Sequence, residues 1–217
     1  EKQYQSGHWD EPNVLAHVRF NDRTGPNGEK VLHIEEVQSD WHQEGRRKGY
    51  RQPITANDIE VKYFKSTVPE GADPSNYPGY WESYDKRSGE MITRHSGYMN
   101  EKQVIDDAVG WAEIHEEKKA PDAPFKTTWH ELTMKRMIRY AAENGYDRIS
   151  WNTAELIPQA QKWRNSSSEI NNSPELTKKY GAIPKRYSQD IPWFLNKYAK
   201  KWGARVEGSE VDGNTVH

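Results

Sequence analysis

The chain has 217 residues and a formal net charge of −2, with 31 Lys and Arg against 33 Asp and Glu, so no global field draws nucleic acid or a membrane surface to it. It contains no cysteine, which excludes disulfides, thiolate metal sites and a cysteine nucleophile. Hydrophobic residues are few at 33%, yet nine Trp and twelve Tyr can bury enough area for a modest core. No apolar run approaches the ~20 residues of a membrane span, and no signal peptide is visible. The size fits one domain with an insertion, or at most two small ones. Because the first residue is Glu1 rather than Met, a piece of a longer polypeptide is expected.

Residues 1–13 are polar. Val14 to Phe20 alternates as a strand, Asn21 to Gly28 is rich in turn residues, and Val31 to Gln38 reads as the returning strand of an antiparallel hairpin. Glu35, Glu36, Gln38, Asp40, His42 and Gln43 follow in quick succession, then a basic, glycine-punctuated turn from Gly45 to Gly49. Carboxylates at a strand end beside amides and guanidinium groups suit general-base chemistry next to a phosphate.

From Arg51 to Pro124 four early prolines break the pattern. Tyr80–Tyr84 and Glu90–Thr93 predict a hairpin. Asn100 with Gln103 forms a capping-box pattern, opening a helix with Val104, Ala108, Trp111, Ala112 and His115 on one face. This stretch, residues 51–124, reads as an inserted ββα module, with residues 1–50 and 125–217 as the core.

A second capping-box pattern, Thr128 with Glu131, opens the clearest helix, whose stripe is His130, Met134, Met137, Ile138 and Ala141. Asn144-Gly145 stops it and Tyr146–Asn152 is a strand. Strand, crossover helix and strand make Val31–Gln38 and Arg148–Asn152 parallel neighbours. Thr153 to Gln189 has a helical start and an Asn/Ser-rich centre, Asn165 to Ser173, expected to be mobile. Asp190 caps a last helix with the stripe Ile191, Phe194, Leu195, Tyr198 and Trp202; Gly203 ends it and Ala204–Glu207 is a short strand. The fold class is therefore α/β (α+β), a mixed sheet with an antiparallel hairpin, a parallel strand–helix–strand unit and the inserted module.

This order of elements resembles the C-terminal two-thirds of the GNAT acyltransferase superfamily, where a Gln/Arg-x-x-Gly-x-Gly/Ala turn after the central strand binds the coenzyme A pyrophosphate. Arg46-Arg47-Lys48-Gly49-Tyr50-Arg51 matches the first four places and departs at Arg51, and the whole insertion intervenes before the next helix. The segment LNKYAKKWGARVE resembles that superfamily's tyrosine–helix–glycine segment, with Tyr198 one residue further from Gly203 than usual. A second resemblance covers nearly the whole chain. The phrases DEPNVLAHVRFNDR, IEEVQSDWHQEGRRKGY, APFKTTWHELTMKRMIRYAAENGYDRISW and LNKYAKKWGA are similar to a module of large phage and prophage polyvalent proteins. Such proteins are thought to enter the host cytoplasm with the phage genome.

The acyltransferase resemblance implies acetyl-coenzyme A in the splay between the two parallel strands and an amine acceptor. Gln43, Arg46, Arg47 and the Gly49 amide, with His130 and Asn152, would hold the cofactor. Glu35 or Glu36 would take the amine proton and Tyr198 would protonate the thiolate. Each residue also has a plainer account. Glu35 and Glu36, pointing to opposite faces of their strand, can pair with an arginine such as Arg19. The basic run can be a solvated turn, His130 a satisfied core histidine, Tyr198 a core ring and Asn152 a turn cap. His33, Asp40 and His42 with Glu35 fit no compact metal motif, so no metal is expected. The competing reading is a non-catalytic module that grips a host protein or single-stranded nucleic acid with Trp81, Tyr84 or Trp111 beside Arg87 and Arg94.

Overall fold

The computed structural model describes residues 3–153, 169, 172–176, 182–211 and 214–217. Most of the Asn165–Ser173 stretch, and the helical start expected before it, lie outside the described residues. The fold is mixed α+β. The described residues include two three-stranded sheets, one of them with a parallel pair, and five α-helices. The chain divides into two compact units, one centred on Gln43–Ala123 and one made of Gln5–His42 with Pro124–His217.

In the second unit, β1 (His17–Thr24) and β2 (Lys30–Gln38) form the expected hairpin, although β1 starts at His17 rather than Val14. β6 (Arg148–Trp151) lies parallel to β2, giving the order β1-β2-β6. Helix α3 (Trp129–Glu143) crosses between them, burying Trp129, His130, Met134, Met137 and Ala141. Leu32, Ile34 and Val37 of β2 enter the same core with Trp151, Tyr187, Ile191, Phe194 and Leu195. Each of these aliphatic side chains contributes about 1.5–3 kcal/mol by leaving water.

The step from Ile34 to Val37 departs from strict alternation, and the register explains it. Arg19 faces Glu36 while Phe20 faces Ile34, so Glu35 is the extra residue of a β-bulge. The expectation that Glu35 and Glu36 take opposite faces therefore fails: both carboxylates reach Arg19.

The basic glycine turn is also corrected. Asp40–Lys48 is a helix, α1, with the Ser39 hydroxyl accepting from the His42 amide at 3.2 Å, an acidic first turn and Arg46, Arg47 and Lys48 in the last. These are helix start and stop preferences, each charge matching the helix dipole. Gly49, at φ +80°, supplies the left-handed residue that ends the helix. Gly45 is required for another reason: a Cβ there would lie 2.2 Å from the Tyr50 ring.

In the first unit, β3 (Ile59–Phe64), β4 (Tyr80–Asp85) and β5 (Met91–Ser96) form an antiparallel sheet against α2 (Glu101–Glu117). The insertion is thus βββα rather than ββα. β3 went unread because its second half, Lys62-Tyr63-Phe64, is exposed and shows no alternation of burial. Asn100 and Gln103 form the expected reciprocal cap, each bond 2.9 Å. Val104, Ala108 and Ala112 are buried, whereas Trp111 and His115 lie outside that face.

Three further expectations change. Thr128 precedes α3 but its side chain makes no capping bond, because its backbone (φ −118°, ψ 5°) is not extended. Asp190 does not cap the last helix either. A short helix α4 (Ala182–Lys185) and a π-helical turn (Arg186–Asp190) run directly into α5 (Ile191–Ala199), so the chain arrives already helical. Ala204–Glu207 is not a strand; β7 (Ser209–Val211) pairs instead with β8 (Asn214–Val216). No helix among the described residues is long and apolar enough to cross a membrane.

Candidate functional site

The parallel pairing of β2 and β6 runs only from Val31–Arg148 to Ile34–Trp151. The ladder ends there: the Trp151 amide and carbonyl each bond to His217 at 3.1 Å, and Asn152 bridges to Val216. The edge of β2 left open is met by side chains. Asn152 Nδ2 donates to the Glu35 carbonyl at 3.4 Å, and the Tyr187 hydroxyl accepts from the Val37 amide at 2.5 Å and lies 3.4 Å from its carbonyl. Burial pushes the Tyr187 hydroxyl well above its ordinary pKa, so it stays protonated and able to donate.

A polar layer lies on the sheet face opposite the core. The register aligns Asn21, His33 and Ser150 across three strands, with His33 Nδ1 2.9 Å from Ser150 Oγ. Glu35 accepts from Asn21 Nδ2 at 2.6 Å and pairs with Arg19 at 2.9 Å and Arg23 at 3.7 Å; Glu36 lies 3.6 Å from Arg19. The plainer account of the two glutamates is the one seen here. Both carboxylates are thus engaged by guanidinium groups inside the fold rather than presented to a cleft.

Arg46, Arg47 and Gly49 sit at the carboxyl end of α1, where carbonyls rather than amides project and the dipole is negative. The Gly49 carbonyl accepts from the Ala120 amide at 3.0 Å. These positions do not form an amide cradle at a helix start. Gln43, half-buried, lies on the same helix. Tyr198 is half-buried with its ring stacked on Phe194 (5.3 Å) and edge-on to Trp202 (5.1 Å).

A cleft of about 500 Å³ opens at the start of α3, lined by Thr127, His130, Glu131, Lys185, Gln189, Asp190 and Trp193. Since α3 runs back against the direction of β2 and β6, its first turn lies at the carboxyl end of the parallel strands, where open α/β sheets bind ligands. His130 is 8% exposed and makes no hydrogen bond to any described residue; its Nδ1 is buried without a partner. The ring borders the cleft, so Nε2 is the nitrogen left to face it. Burial, reinforced by the charge of Arg186, holds its pKa below the ordinary histidine value, only partly offset by Asp190 and Glu131. A neutral imidazole facing a cleft can accept a proton.

Beneath it, Trp129 is fully buried, with His42 stacked on its ring at 5.9 Å and the Arg186 guanidinium 4.4 Å from its centre. The π-helical turn supplies Arg186 and Tyr187 to the interior and Gln189 and Asp190 to the cleft. Sequence reasoning missed Tyr187, Arg186 and Asp190 as site residues. A π turn is a frequent mark of function, but it shows only in the backbone. Among the described residues, no group of three His, Asp or Glu is placed to hold a metal ion. Comparison with known proteins finds no family model, no curated protein and no solved structure that matches this chain.

Proposed function

We propose that the second unit is catalytic and moves an acyl group from a coenzyme A thioester to an amine, working from the cleft at the start of α3. The observation that carries a catalytic reading is His130: buried, held neutral, free of protein partners and bordering the cleft. The reaction class rests on the order of elements, a hairpin and a parallel strand–helix–strand unit whose pairing ends at Ile34 and Trp151, which resembles the GNAT acyltransferases. Membership of a phage polyvalent protein remains part of the same proposal, resting on the four quoted phrases; the host cytoplasm is then the place of action.

In this reading His130 replaces Glu35 and Glu36 as the base. Asp190 and Glu131 at the cleft wall attract an ammonium substrate, which loses one proton to solvent to become the free amine; as that nitrogen attacks the acyl carbon, His130 Nε2 takes its second proton. The carbon–sulfur bond then breaks and the thiolate is protonated from solvent through the open cleft. Lys185 and the positive end of the α3 dipole are the groups there that suit a phosphate of the donor. The first test is melting with acetyl-coenzyme A, since a ligand bound only to the folded state raises the midpoint. The second is thiol release with a panel of small amines. His130→Gln should keep the coenzyme-dependent rise in melting temperature and lose thiol release. No rise at millimolar coenzyme would remove acyl transfer as the reaction; full activity in His130→Gln would remove His130 as the base.

A further inference from the structure

We propose that the acceptor taken by the cleft at the start of α3 is a linear alkyl polyamine, an aliphatic chain carrying two or more ammonium groups. The inference rests on the catalytic reading above in treating the cleft as the acceptor site, and it adds the class of amine. The wall carries two carboxylates from different elements, Glu131 in the first turn of α3 and Asp190 at the end of the π-helical turn. Both are half-buried, and neither side chain forms an ion pair or a hydrogen bond with any described residue.

A carboxylate partly withdrawn from water ordinarily finds a cation inside the fold. Elsewhere in the same unit Glu35 has Arg19 and Arg23, and Glu29 has Arg148. Two unmet carboxylates at one cleft attract positive charge from outside. His130, 8% exposed with its Nδ1 buried and unpartnered, precedes Glu131 on α3 and borders the same space. Trp193 follows Asp190 by about one helical turn, lines the cleft and is 64% exposed. Lys197 Nζ lies 5.1 Å from the centre of that ring, so the indole already receives an ammonium group. Indoles hold methylenes by apolar contact and cations through the negative ring face. A polyamine alternates methylene runs with ammonium groups and meets the ring and both carboxylates together.

The remaining groups narrow the choice. An α-amino acid needs a cation for its own carboxylate, and the cation among the lining residues is Lys185, which the donor phosphate engages. A lysine side chain of a protein brings one ammonium and leaves one carboxylate unmet. Acylation of one end of a diamine turns its ammonium into a neutral amide. The product then satisfies one carboxylate where the substrate satisfied two, and it leaves as readily as a monoamine.

The test is isothermal titration calorimetry without coenzyme, comparing putrescine, spermidine, butylamine and N-acetylputrescine. Both polyamines should bind about tenfold or more tightly than butylamine, with N-acetylputrescine at the butylamine level. Glu131→Gln and Asp190→Asn should each bring putrescine to within about threefold of butylamine, and Trp193→Ala should weaken both polyamines about fivefold. The comparison of ligands on the unaltered protein decides the matter if a variant does not fold. Absence of heat with either polyamine at low salt, equal affinity for putrescine and butylamine, unchanged putrescine binding in both carboxylate variants, or tighter binding of Nα-acetyl-lysine methylamide than of spermidine would each overturn the proposal. The two readings fail separately. Tight spermidine binding with no coenzyme-dependent rise in melting temperature removes acyl transfer and leaves the polyamine site. Equal kcat/KM of thiol release with butylamine and putrescine leaves acyl transfer and removes the polyamine.

Discussion

In the insertion five of the nine cations are met by a nearby carboxylate: Lys62 by Glu60, Arg87 by Asp85, Arg94 by Glu82, Lys102 by Asp106 and Lys119 by Glu116. On α5 and the turn after it, Lys197 and Lys201 meet no carboxylate among the described residues and rest over tryptophan rings instead. The same contrast separates the two places where sequence reasoning put chemistry. Glu35 and Glu36 are held by arginines, whereas His130 keeps both ring nitrogens free of the described protein. Groups whose charge or hydrogen-bonding capacity is already met inside the fold have little left for a ligand. Function is better sought where the fold has left a group unmet than where it has gathered the most charge.

That comparison can be pressed at four points. The largest effect is expected from Trp129→Ala, which empties the fully buried centre beneath the cleft. It should cost about 3–5 kcal/mol in urea unfolding, while hydrogen exchange of the β3–β5 sheet keeps its protection. A uniform collapse of both would mean that the two units do not unfold separately. Next comes Tyr187→Phe, which leaves the Val37 amide buried without its acceptor. A loss of about 1–3 kcal/mol is expected; a neutral result would mean that water closes the β2 edge as well as the hydroxyl does.

Smaller is the contrast between helix starts. Asn100→Ala should destabilise by about 1 kcal/mol, read as faster exchange in the first turn of α2. Thr128→Ala, at a start with no side-chain cap, should leave α3 unchanged. The smallest effect concerns pH. His130 is held below the unfolded histidine value of ~6.5, so below that pH the unfolded chain binds the extra proton first. The stabilisation from a neutral His130 is complete above that value and is lost as pH falls through it toward the lower folded pKa. His130→Gln should flatten the melting temperature between neutral and mildly acidic pH; an unchanged profile would place the dependence elsewhere.

Much of the framework was legible because it is locally encoded. The β1–β2 hairpin, the α2 cap at Asn100 and the stripe of α3 each follow from spacing within one segment, and the parallel partner β6 follows from the order strand, helix, strand. Helix α1 was legible in principle, since Ser39, Asp40 and the basic last turn are ordinary start and stop residues. Gly45 and Gly49 carry the local pattern of turn formers, but a Cβ at Gly45 would lie 2.2 Å from the Tyr50 ring, a packing reason that no turn pattern contains. His130 was named from its place in the first turn of α3. Its role as the unpartnered group of the cleft was not, because a partner's absence cannot be read from one segment.

The sequence by itself determined the periodicities and the helix ends at Asn100 and Gly203, which depend on neighbours a few residues away, and the parallel order of strands, which follows from the general handedness of strand–helix–strand connections. Only the tertiary structure decided that Glu35 bulges, that Tyr187 closes the edge of β2 from 150 residues away, and that Lys197 and Lys201 meet rings rather than carboxylates among the described residues. Whether a charge or a hydrogen-bonding group is met depends on what the folded chain brings beside it, and no local pattern carries that distance.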